Sequence, residues 1–205
     1  MNNSSPHSLQ PAGFLIVEDA RAVQARSGVN YHGVDRRPPL YAPDDSIRIR
    51  LGEPFVTDPR LHSALDQYFD AICNPTPFIG DYEAATSLFE SLCSFDYALE
   101  LLYCEVAWTT EEEETPRRYP VSLLPGRSSL TYGFDVSWPS ANHSAIFQPG
   151  VVPGNPKWLQ KLNEWGLLND YDDAVLLREE YLAVYPNPPF EVFLVHRATA
   201  DEASP

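Results

Sequence analysis

Four consecutive apolar residues, Phe14-Leu15-Ile16-Val17, make a short run of strand type. The Arg36-Arg37-Pro38-Pro39 stretch that follows is loop, because paired prolines exclude helix. From Ser46 to Leu51, Ile47, Ile49 and Leu51 alternate with Ser46, Arg48 and Arg50, the period of a half-buried strand. Asp58-Pro59 supplies a capping carboxylate and a proline at the first helical position, and Leu61, Leu65, Phe69 and Ile72 then share one helical face. A second helix starts near Asp81, with Ala85, Leu88, Phe89 and Leu92 as its buried stripe.

Phe95 to Trp108 contains no Gly or Pro and grows richer in aromatic and β-branched residues toward its end, so it reads as a strand, with a continuing helix as the alternative. Leu130 to Trp138 and Ser144 to Phe147 read as two strands of a hairpin around Pro139-Ser140-Ala141-Asn142. Asn155-Pro156 starts a third helix, with Trp158, Leu162 and Trp165 at helical spacing and Gly166 at the left-handed cap. Asp170 to Asp173 cap a fourth, running through Val175, Leu176 and Tyr181 to Pro186, and Phe190 to Val195 is a last apolar strand. The elements predict an α+β class, a mostly antiparallel or mixed sheet with two pairs of helices packed against one face. A single domain is expected over 12–198, between a disordered lead at 1–11 and a flexible tail at 199–205, with no internal repeat.

Charge narrows the function classes. Fourteen Lys and Arg against twenty-nine Asp and Glu give a net charge of −15, which phosphate backbones and anionic lipids repel. Nucleic-acid and membrane-surface binding are therefore poor readings. No stretch offers the roughly twenty uninterrupted apolar residues of a membrane span, and the N-terminus lacks the basic and apolar regions of a secretory signal. Cys73, Cys93 and Cys104 match no ligand spacing and sit among apolar neighbours, which predicts reduced, buried thiols and a cytoplasmic protein.

No phosphate-binding glycine loop, no HExxH, no GxSxG elbow and no paired Cys or His spacing is present, so no metal or cofactor is expected. If the predicted hairpin brought Asp135, His143 and Ser144 together, carboxylate, imidazole and hydroxyl would form a nucleophilic set, although polar residues are ordinary at a turn. Glu111, Glu112, Glu113 and Glu114 are a solvated loop or a docking surface for a basic partner. Asp170, Asp172 and Asp173 read first as a helix cap and not as a weak divalent-cation site, since the alternating ligands and glycine turn of a calcium loop are missing, and with Glu111 to Glu114 they are the candidate partner-binding residues. His32, His62 and His196 stand alone in the sequence, and Trp158 with Trp165 are core anchors or, if exposed, an interface for an oligomeric structural component.

The segments Leu130 to Ser137, His143 to Ile146, Trp158 to Leu168 and Tyr171 to Ala174 resemble small bacterial immunity proteins of polymorphic-toxin systems. The resemblance covers the last third of the chain. It implies a compact, acidic, cytosolic α+β protein that binds and blocks a cognate toxin, with no catalytic motif to carry over. The leading expectation is thus a non-enzymatic binding protein for a basic partner. A hydrolase-like enzyme using Asp135, His143 and Ser144 is the alternative.

Overall fold

The structure is a computed structural model of the 205-residue chain and describes residues 9–18, 78–94, 99–107, 130–137, 144–146, 155–186 and 190–198. The strand expected at Ser46 to Leu51, the helix from Asp58, Cys73, His143 and Glu111 to Glu114 lie outside the described residues.

Strands β1 (Gln10–Glu18), β2 (Leu99–Ala107), β3 (Leu130–Ser137) and β4 (Glu191–Arg197) form one sheet in the order β1-β2-β4-β3, every neighbour antiparallel. Helix α1 (Tyr82–Cys93) packs on β1 and β2, and α3 (Tyr171–Val184) packs on β3 and β4. Between them in sequence lies α2 (Pro156–Leu159), a single turn. The fold is α+β, as the pattern predicts.

Residues paired across an antiparallel ladder point to the same side, so Phe14, Tyr103, Leu194 and Phe134 share one face. Both long helices lie on it. The Tyr82 ring at the start of α1 sits 5.5 Å from Phe14, and the Tyr171 ring at the start of α3 sits 5.7 Å from Phe134. The opposite face is also buried, through Leu15, Leu102, Cys104, Val106, Phe193 and Val195, and the Phe78 ring stacks on Phe193 at 5.8 Å. A sheet covered on both sides explains why Phe14 to Val17 is an unbroken apolar run instead of an alternating one. Each such side chain contributes about 1.5–3 kcal/mol by leaving water.

One expectation is corrected, and another is met as far as the described residues reach. Of the expected hairpin, the described residues 144–146 meet β3 on the edge away from β4, through an antiparallel bridge of Ser144 with Ser137 and the Ala145 amide donating to the Val136 carbonyl at 2.7 Å, while Trp138, the turn and Phe147 lie outside the described residues. The third helix stops after Leu159, so Leu162 and Trp165 are not helical. Asn163 diverts the chain: its side-chain oxygen accepts from the Trp165 and Leu167 amides at 2.9 and 3.1 Å, offering the backbone partners that a helix would otherwise supply. Gly166 is left-handed, φ 71°, but within this turn instead of at a helix end.

Candidate functional site

Asp135 and Ser144 of the candidate trio are brought together, in a closed arrangement, while His143 lies outside the described residues. Asp135 lies on β3 opposite Phe193, and Ser144 on the segment bridged to the outer side of β3. The Ser144 hydroxyl donates directly to Asp135 Oδ1 at 2.5 Å, and the same oxygen accepts from the Val136 amide at 2.8 Å. Ser144 Oγ in turn accepts from the Ile146 amide at 3.1 Å. With Ser144 only 1% exposed, these bonds clasp residues 144–146 to the sheet and commit the hydroxyl proton to a carboxylate. Burial pushes the Asp135 carboxyl up to about 6, while the Ser144 and Val136 hydrogen bonds pull it back in part. Burial also raises the Cys104 thiol, with the Asp135 and Glu105 charges adding to it.

Beside the clasp, Glu191 is fully buried and faces Arg178 of α3, with Nε 3.7 Å from its Oε2. The Arg178 Nε also donates to the Phe190 carbonyl, which orients the guanidinium over the start of β4. A buried carboxylate of this kind is tolerated because a cation and backbone order accompany it.

A second polar row lies on the helix-covered face. His196 of β4 places Nδ1 3.1 Å from Thr131 Oγ1 on β3 and Nε2 3.6 Å from Glu105 Oε2 on β2, and its ring stacks on Tyr103 at 5.8 Å. Burial, with Glu105 next to it, pushes the Tyr103 hydroxyl up to about 12. Hydroxyl, imidazole and carboxylate stand in the order that nucleophilic chemistry uses, and the row also ties three strands together. In sequence His196 reads as solitary. Only the β2–β4–β3 register reveals its neighbours.

The acidic residues of α3 divide by role. Asp170 is the N-cap, accepting from the Asp172 and Asp173 amides at 2.9 and 3.4 Å, and Asp173 pairs with Lys161. Asp172 and Asp173 also sit where the helix dipole favours negative charge. The outward side of α3 presents Asp172, Leu176 and Glu179 in succession, with Leu176 42% exposed, so Leu176 belongs to the surface and Ala174, Leu177 and Tyr181 form the buried stripe. Lys157 pairs with Glu180, whose carboxyl it holds below the usual range. Trp158 is fully buried in its own chain and its Nε1 donates to Glu180 at 2.8 Å, whereas the half-buried Trp165 rests on Tyr132 at 4.5 Å. Trp158 is thus a core anchor.

The thiols also differ from expectation. Cys104 is buried, but Cys93 is exposed at the end of α1, with its thiol raised by partial burial and by Glu90. Among the described residues no group of three His, Cys, Asp or Glu is placed to hold a metal ion, and no helix is long and apolar enough to cross a membrane.

No protein-family model matches the chain, no curated protein matches it, and no solved structure matches its fold.

Proposed function

We propose that the protein is a non-enzymatic acidic binding protein, an immunity-type inhibitor that docks on a basic surface of a cognate toxin. The observation that carries this reading is the outward side of α3, where Leu176 is exposed between Asp172 and Glu179. Nearby Lys157 and Lys161 are already paired with Glu180 and Asp173, so the local field remains negative on a chain of net charge −15. A negative rim around an apolar contact speeds encounter with a positive partner and lets one side chain anchor it.

The test is co-purification with the product of the adjacent upstream gene, at low and at high salt. A complex that forms at low salt, and that weakens at least tenfold in the double variant D172K/E179K, supports the proposal. Absence of a complex at low salt removes it.

A further inference from the structure

β1 meets β2 and β3 meets β4 in one and the same register. Gln10↔Val106, Gly13↔Cys104 and Ile16↔Leu101 correspond to Leu130↔Arg197, Gly133↔Val195 and Val136↔Val192, and every pair between them corresponds in turn. Each edge strand shifts register at one place, between Pro11 and Gly13 and between Thr131 and Gly133. Directly after the shift, Phe14 exchanges two backbone hydrogen bonds with Ile79, at 2.8 and 2.9 Å, and Phe134 exchanges two with Leu168, at 2.7 and 3.0 Å. Two residues beyond each bridge, Asp81 and Asp170 cap the helices, and the tyrosine after each cap lays its ring against the phenylalanine of the bridge. The buried stripes repeat as well: Ala85, Leu88 and Leu92 against Ala174, Leu177 and Tyr181.

The β2–β4 seam completes the relation. Exchanging the two strands turns Leu102↔Arg197 into Val106↔Phe193 and Tyr103↔His196 into Glu105↔Leu194, while Cys104↔Val195 maps onto itself. A two-fold axis therefore stands on the sheet at Cys104 and Val195. Any antiparallel pair has such a local axis. Bulge, bridge, cap and helix lie outside the pair, and nothing in strand pairing obliges them to repeat.

We propose that the chain is a fused dimer: two copies of one strand, bridge, helix and strand unit, 10–107 and 130–198, joined across the β2–β4 seam. The seam is a self-complementary surface whose occupant is a second copy of the unit. At three places the second copy carries a polar group where the first is apolar. Asp135 stands where the first has Leu15, Ser137 where it has Val17, and Arg178 where it has Phe89. Glu105 and His196 occupy corresponding positions and face each other beside the axis.

The two-fold makes the gap from Ala107 to Leu130 equal to the gap from Ala198 to Gln10. Each spans two strand spacings across and about the length of β4 along, roughly 20 Å. The native ends joined directly, 199–205 followed by 1–9, reach about 50 Å when extended. The order of the copies in the chain is then immaterial. A full-length permutant opened between Tyr119 and Pro120, with the native termini joined, is expected to melt cooperatively within about 5 °C of the natural chain. A second permutant opened between Ser94 and Phe95, which cuts a unit, is expected to melt at least about 10 °C lower. The natural chain cleaved at Tyr119 after folding is expected to keep its two pieces together on size exclusion. A first permutant that does not fold or melts no higher than the second, or pieces that separate in native buffer, would overturn the proposal.

Discussion

Asp135 is a buried carboxyl that ties stability to pH. Its carboxyl titrates near 6 in the folded chain against an ordinary value of 3.8, so the folded state holds the proton more tightly than the unfolded one. The contribution of Asp135 to stability therefore falls as pH rises from about 4 to about 6, and the cost of the buried charge is fully present above that, at most ~3 kcal/mol. D135N keeps an acceptor for Ser144 and Val136 and removes the charge. Urea unfolding is expected to show the variant more stable than the parent at pH 7.5, with the parent's slope between about pH 4 and 6 lost; equal slopes would contradict it. Thr86 gives the opposite kind of test. Its Oγ1 is buried without a hydrogen-bond partner among the described residues, while Val175 occupies the corresponding place on α3. T86V is expected to raise stability by about 1 kcal/mol in the same measurement. The adjacency of Asp135 and Ser144 was legible from nine residues of sequence. The neighbours of His196 were not, because Glu105 and Thr131 reach it only through pairing between strands distant in the chain.

Helices α1 and α3 were readable because capping carboxylates and apolar spacing act within one or two turns, and Asp81 and Asp170 both cap as expected. Strand β2 and strand β4 were readable from composition. The failure fell where a side chain competed with the helical period: Asn163 turned the chain out of helix by accepting from the Trp165 and Leu167 amides. At the bulges the backbone itself is decisive. Gly13 and Gly133 have φ of 130° and 135°, and a Cβ there would stand 2.8 Å from the Ile79 carbonyl oxygen and 2.6 Å from that of Leu168. G13A and G133A are each expected to lose ~2 kcal/mol or more, and by similar amounts, in equilibrium unfolding.

For the molecule as a whole, −15 of net charge sets a repulsion that no single contact explains. Raising NaCl from about 0.01 M to about 0.3 M shortens the screening length several-fold. The melting midpoint is expected to climb with salt over that range, and a flat response in a thermal scan would mean that the carboxylates are too dispersed to repel. The doubling of the unit was hidden from the sequence for a definite reason: edge strands, helices and central strands each repeat at a different offset, because the segment between edge strand and bridge is longer in the first copy and the segment between helix and central strand is longer in the second. No single period survives.

The bridges at Phe14 and Phe134 bear on how the protein behaves in a crowded solution. Outermost strands ordinarily leave a row of amides and carbonyls on which another chain can grow a further strand. Here Ile79 and Leu168 occupy that row at its midpoint on either flank, each with two hydrogen bonds. Displacing either one would bare a template for intermolecular stacking, so fibril growth should begin from chains in which one flank has come undone.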